Sequence, residues 1–214
     1  MKPLFFAALV ALLTPVTMIN GQNIQLPKPD QNRQTLSMAQ TLATRHSVRE
    51  FSTKELSLQD LSDLCWAACG LSRDTEHITA ASAMNRQEVR LFVFTKKATY
   101  EYIAKDNCLK LAADGDSRRL VAGTPEFAQD FVMDAPVSLV MVLDLDKLGG
   151  HDERSKMMGC VDVGNVSENV NLFCQAAGFV TVPRATMDTP AIKKLLGLNE
   201  YQIPVLNNPV GFGK

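Results

Sequence analysis

The residues best equipped for chemistry lie in one short stretch, Arg45-His46-Ser47-Val48-Arg49-Glu50-Phe51. In an extended chain, alternate side chains face the same way. Arg45, Ser47 and Arg49 then share one side, and His46, Val48 and Glu50 the other. Two guanidinium groups flanking a hydroxyl make an anion site, because the planar forks match phosphate and carbonyl oxygens alike. A solvated basic turn is the plainer reading of the same residues. A second stretch, ASAMNRQEVRLFVF (81–94), sets Ser82, Asn85 and Gln87 just ahead of an apolar run. Amide side chains offer both donors and acceptors, which suits a polar heteroaromatic ring. Ordinary loop capping uses the same residue types.

Other constellations point away from several chemistries. No G-x-S-x-G elbow is present, which an α/β-hydrolase nucleophile requires. His46, His77 and His151 are far apart in sequence and show no metal spacing. Gly211-x-Gly213 lacks the following helix of a dinucleotide fingerprint. Five cysteines leave at least one thiol free. Cys65 and Cys69, four apart on an expected helix, share a face. They could be bridged, act in thiol redox chemistry, or sit as small buried hydrophobes. No second Cys or His pair completes a zinc set.

The elements that must position these residues follow from periodicity. From Thr35 the pattern is helical, with Leu36, Met38, Ala39, Leu42 and Ala43 on one face, and it stops near Arg45. Ser57 opens a second helix, and Asp60 stands where a capping box places its carboxylate. Its stripe is Leu58, Leu61, Leu64, Cys65, Ala68 and Leu71, and Gly70 lies near its end. Residues 72–87 read as a polar loop. Val89 to Thr95 and Thr99 to Ile103 read as paired strands joined at 96–98. Residues 116–133 read as helix broken around Gly123 and Pro125. Val137 to Leu145 is a continuous apolar strand, central in the sheet. A long helix over 155–177 ends at Gly178. A strand (179–183), a helix (189–196) and a last strand (203–210) complete an α+β order without strict βαβ alternation.

The first 21 residues differ from the rest. A charged start, an apolar run over Leu4–Leu13 and a small residue at Gly21 read as a secretory signal peptide. A membrane span needs ~20 apolar residues, about twice that run, so no stable span is expected in the mature chain. Residues 22–34, polar with two prolines, read as a mobile linker, and 35–214 as one domain. A net charge of −1 over 214 residues gives no basic stripe for nucleic acid.

Taken in order, these segments resemble the nitroreductase family of FMN enzymes. RHSVREF is followed by a helix, then SAMNRQ before a strand, DAPVSLVMV (134–142), DVGNVSENVNLFCQAAGF (162–179), TVPRA (181–185), LLGL (195–198) and PVGFG (209–213). The likeness runs from about residue 37 to the end. It implies a mixed sheet wrapped by helices, with a long helix at the interface of a homodimer that shares FMN. It implies that Arg45, His46, Ser47 and Arg49 hold the phosphate, ribityl chain and pyrimidine edge, with Arg49 tuning the ring. Ser82, Asn85 and Gln87 would reach the flavin partly from the second subunit. Pro183, Arg184 and Ala185 would pass near the ring's N5 edge. Electrons would pass from NAD(P)H or another donor to a small electrophile such as a nitroaromatic, quinone or enone. No metal is implied. Ala185 and Thr186 stand where many members have an acidic residue and a glycine. Ala128 and Phe131 stand where many have an amide and a lysine. A non-catalytic binding protein of the same fold, or an oxidase of azoline rings, is the alternative that these departures keep open.

Overall fold

The computed structural model describes residues 22–214; the expected export leader, residues 1–21, lies outside them. A seven-stranded sheet runs in the order β1-β4-β3-β2-β5-β7-β6. Its strands are β1 (Ile24–Gln25), β2 (Val89–Thr95), β3 (Ala98–Ile103), β4 (Cys108–Asp114), β5 (Val137–Asp144), β6 (Val180–Thr181) and β7 (Gln202–Gly211). Every pairing among them is antiparallel. The helices are α1 (Met38–Thr44), α2 (Leu58–Cys69), α3 (Arg118–Ala122), α4 (Leu145–Leu148), α5 (Glu153–Ala177) and α6 (Thr189–Leu196).

β5 is buried at every position, as its unbroken apolar run demands. Its side chains alternate between two cores. Leu139, Met141 and Leu143 join α2 and α5 on one face. Val140 and Val142 meet Val121, Val132 and Ile192 on the other. α5 lies close on the sheet because of Gly159, where a Cβ would come within 2.3 Å of a Leu143 methyl. Ser57 and Asp60 form the expected capping box of α2, and Gly178 ends α5 in the left-handed conformation.

Three expectations are corrected. Residues 108–114 form a third hairpin strand, β4, where no strand was expected. Only 118–122 of the expected 116–133 helix forms, followed by a 3-10 turn at Asp130–Met133. Gly123, at φ 147°, breaks the helix and bridges to Ala128. Leu58, expected on the buried stripe of α2, is exposed, as are Met38 and Leu42 on the apolar face of α1.

Residues 22–34, expected as a mobile linker, form a strap docked on the domain. Ile24–Gln25 pairs with β4, and Leu26 is buried. Arg33 reaches both Asp60 and Asp63 on α2, and its guanidinium lies over the Phe179 ring. The Asp30 N–H donates to Asp63 at 2.7 Å. The polar composition is compatible with order here because Asn23, Gln25, Asp30 and Arg33 have partners in the domain.

Candidate functional site

Helix α1 stops at Thr44, and the chain leaves it extended. The Val48 N–H donates to the Thr181 carbonyl at 3.0 Å, and the Ser52 N–H to Phe212 at 2.8 Å. The 45–52 segment therefore runs beside β6 and the end of β7. Phe51 is buried there. Gly211 lets the backbone approach it, since a Cβ would come within 3.1 Å of the Phe51 ring and 2.7 Å of Pro136. This anchoring presents the polar side chains outward. His46, Ser47 and Arg49 are exposed and Arg45 is half-buried. The His46 Nδ1–H donates to the Thr44 carbonyl at 2.9 Å. Among the described residues, the side chains of Arg45, Ser47 and Arg49 carry no hydrogen bond or ion pair. Their donors are free for an anion or a carbonyl edge.

The neighbouring segment, Pro183-Arg184-Ala185, alternates outward and inward. Pro183 and Ala185 are exposed, while Arg184 is buried. Its guanidinium donates to Gln129 Oε1 at 2.6 Å, Asn207 Oδ1 at 2.7 Å, and the carbonyls of Val121 and Ala122 at 3.1 Å each. Phe131 lies against it. All these partners are neutral. Burial, and then the charge of nearby Arg49, hold its pKa down to about 10. The charge of Arg49 is thus felt at Arg184, and neither guanidinium makes an ion pair among the described residues. An anion or an electron-rich ring edge placed there would lower the energy of both. Beside them, the Ala185 N–H has no partner among the described residues.

The third set sits elsewhere in the chain. Ser82, Asn85 and Gln87 belong to a tight loop in which Met84, Asn85 and Gln87 all have φ near 50°. Asn85 and Gln87 both donate to the Glu76 carbonyl, and Gln87 also donates to Asn85 Oδ1 at 2.9 Å. The Ser82 hydroxyl donates to Glu88 at 2.9 Å and accepts the Gln87 N–H at 2.7 Å. The loop is tied to α5 through Asp162, which accepts the Ala83 N–H at 2.6 Å. The outer face of the loop borders an open hollow of about 400 Å³ lined by Arg73, His77 and Ser82.

These sets do not meet within one chain. The 82–87 loop abuts α5 at Asp162, whereas the chain just before Arg45 abuts it at Gln175, which donates to Thr44 at 3.0 Å. Asp162 to Gln175 spans roughly 20 Å at ~1.5 Å per residue. On α5, Met157 and Val161 just before Asp162 are exposed, and Gly164 just after it has an open flank. Sequence reasoning missed Gln129 and Asn207 around Arg184, and Glu88 and Asp162 under the loop. Their signal was present: Asn207-Asn208 is an amide pair inside an apolar strand, and Glu88 stands at the start of another.

The thiols are quiet. Cys65, Cys69 and Cys174 are free and buried. Burial pushes the Cys69 thiol up to about 12 and raises Cys65 and Cys174 as well, so thiolate is scarce. Among the described residues no His, Cys, Asp and Glu group could hold a metal ion, and no helix is long and apolar enough to cross a membrane.

A family model described as the nitroreductase family matches residues 42–212. A protein provisionally named a nitroreductase in Methanocaldococcus jannaschii is 25% identical over 198 residues, covering 89% of this chain and 98% of that protein. A crystal structure from Ralstonia eutropha, described with the same provisional name, is 28% identical with a TM-score of 0.80, covering 91% of this chain and 90% of that one. A chain of the E. coli microcin synthetase complex shares the fold at a TM-score of 0.65 and 17% identity, covering 84% and 73%.

Proposed function

Because this chain belongs to the nitroreductase family, whose fold and membership imply oxidoreductase activity, we propose that it is an exported, homodimeric FMN enzyme. It would pass two electrons from NAD(P)H or another donor to a small electrophile such as a nitroaromatic, quinone or enone. The observation that carries this reading is the free donor set of Arg45, Ser47 and Arg49 beside buried, carboxylate-free Arg184. That chemistry fits a phosphate at one end and an electron-rich ring edge at the other.

When bound, FMN supplies the two-electron chemistry. The chain's own residues position and bias it. Arg45 and Ser47 bind the phosphate and ribityl oxygens. Arg49 offers a guanidinium to the pyrimidine edge, where negative charge accumulates on reduction. Arg184 stays fixed beneath and adds positive potential without moving, since four bonds hold it. Ala185 offers a backbone N–H toward N5, and Pro183 keeps that turn rigid.

The roughly 20 Å between the two halves of the site supports a second copy. Met157, Val161 and Met158 on α5, with Met38 and Leu42 on α1, are exposed apolar residues that a partner's matching face would cover. Two such chains would bring the 82–87 loop of each to the arginines of the other. Export rests on the leader-like first 21 residues.

The test is the visible spectrum of purified protein lacking residues 1–21. Flavin bands near ~370 and ~450 nm, with FMN released on denaturation, are expected. A colourless protein that takes up no added FMN would overturn the reading. A flavin that no donor can bleach would favour the non-catalytic alternative.

A further inference from the structure

Two carboxyl groups are buried together beneath the loop that carries Ser82, Asn85 and Gln87. Glu88 is 0% exposed and Asp162 5%. Glu88 Oε2 accepts the Ser82 hydroxyl. Asp162 Oδ2 accepts the Ala83 N–H, and its Oδ1 accepts Asn165 Nδ2 at 3.4 Å. Glu88 Oε1 has no donor among the described residues, and the neighbouring residues Ser82 and Ala83 donate one bond to each carboxyl, which ties Glu88 and Asp162 to the same turn.

Two charged carboxylates in so dry a place repel each other and leave an acceptor unpaired. A single proton between them removes both costs. No cation does that work instead. Arg90, on the same strand, is bidentate to Glu101 at 2.7 and 2.9 Å. Asp144 donates its N–H to the Glu88 carbonyl at 2.9 Å, but its carboxylate takes Gln202 and the Lys147 N–H. Arg86, in the loop itself, is exposed.

We propose that Glu88 and Asp162 hold one proton between them, and that this proton latches the 82–87 loop to α5. With it, a closed circuit forms. Glu88 donates to Asp162, Asp162 holds the Ala83 N–H, Ser82 donates to Glu88, and the Gln87 N–H closes on Ser82. The latch has strain to hold, because three non-glycine residues of the loop sit at φ 51–53°, a region that L side chains rarely adopt. Glu88 starts a central strand and Asp162 lies in α5, so neither can retreat easily. Without the proton the loop is the part that gives. Glu88 and Asp162 are positioning residues that act through Ser82 and Ala83.

The sign follows from Glu88. Burial, with Asp162 beside it, raises its carboxyl above the ordinary value. The latch is therefore complete at low pH and lost as pH rises through that raised value. Glu88→Gln mimics the protonated state: its amide oxygen can accept from Ser82 and its NH2 can donate to Asp162.

The experiment is amide hydrogen exchange at Ala83 and Gln87 on the full protein, from about pH 5 to about pH 9, corrected for intrinsic exchange. In the unsubstituted protein the protection should fall at least tenfold, about one proton in steepness, while E88Q stays flat. Asp162→Asn, whose amide can donate to a Glu88 carboxylate, should also be flat and covers the case in which E88Q folds poorly. A flat profile in the unsubstituted protein, or an equal fall in both variants, would overturn the latch. Use of this loop by the cofactor rests on the FMN reading, and FMN affinity over the same pH range is the separate measurement. Protection that falls while affinity holds supports the latch and removes the loop from the flavin site.

Discussion

Arg184 and Asn207 are joined three times: each backbone N–H donates to the other's carbonyl, at 2.8 and 2.7 Å, and the Arg184 guanidinium donates to the Asn207 side-chain oxygen. A charge this buried costs free energy to desolvate, so its removal has two opposed effects. Substituting Met removes the cation but takes this donor from two amide oxygens and the Val121 carbonyl, while the Ala122 carbonyl keeps the Gln129 N–H. Each orphaned acceptor costs about 1–3 kcal/mol, which outweighs the relief. Arg184→Met should lose about 2–4 kcal/mol in urea unfolding. Unchanged stability would mean that water replaces the guanidinium at no cost.

Arg45 and Arg49 have no partner to lose within the chain, so their removal should spare stability and act on the ligand. Arg45→Ala and Arg49→Ala should each weaken FMN binding by about 1.5–3 kcal/mol, the scale of a hydrogen bond to a charged group, with little change in the unfolding midpoint. Calorimetric titration measures the first and denaturation the second. Equal FMN affinity in either variant would take that residue out of the site.

The strap predicts an acid response. Burial pushes the Asp60 carboxyl up, but the Ser57 N–H and hydroxyl and the Arg33 guanidinium more than offset it, leaving it below its ordinary value. A carboxylate held low in the folded chain contributes stability above its unfolded value, lost as pH falls through the folded one. The loss should begin near about pH 4 and deepen below it. Arg33→Ala should cost about 3 kcal/mol at neutral pH, because Asp63 then remains buried with less compensation, and should shallow the acid limb. An acid limb of unchanged depth would show that Ser57 alone holds Asp60.

Cys160 reports on the proposed second copy. It is the exposed cysteine, on the outward side of α5 beside Val161, while Cys65, Cys69 and Cys174 are buried and their thiols raised. Native alkylation should label Cys160 quickly in dilute monomer and far more slowly in flavin-loaded protein that sediments as a dimer. Fast labelling in a sedimenting dimer would move the interface away from α5. A monomer by sedimentation would end the shared-site reading.

Much of the layout was legible because it is written in period and caps. The all-apolar run of β5 and the Ser57/Asp60 box needed no tertiary information. β4 was not legible because a strand near the sheet's edge, flanked outside only by the two-residue β1, needs only one buried face. Its alternation, Leu109 and Leu111 around Lys110, is short and ends in two alanines, too weak against the background of loops. The helix expected over 116–133 failed at one backbone angle, that of Gly123. The strap was misread for a different reason. Polar composition signals disorder only when the polar groups lack partners, and those of Asp30 and Arg33 wait on α2. For the site, sequence showed which side chains carry donors, but not that Arg184 turns inward while its neighbours turn out.

The strap also bears on the order in which the chain can be completed. Its partners are among the most distant available: Leu26 bonds to Asn107, and Thr35 to the Ala176 carbonyl near the end of α5. Contacts of such separation cannot form until the intervening chain exists, and they close slowly once it does. Residues 22–35 are thus made early and are among the last to be fully seated. Their last contact, Thr35 with Ala176, waits until α5 is made. A chain handed across a membrane by its front end would keep that end unfolded for as long as the handover requires.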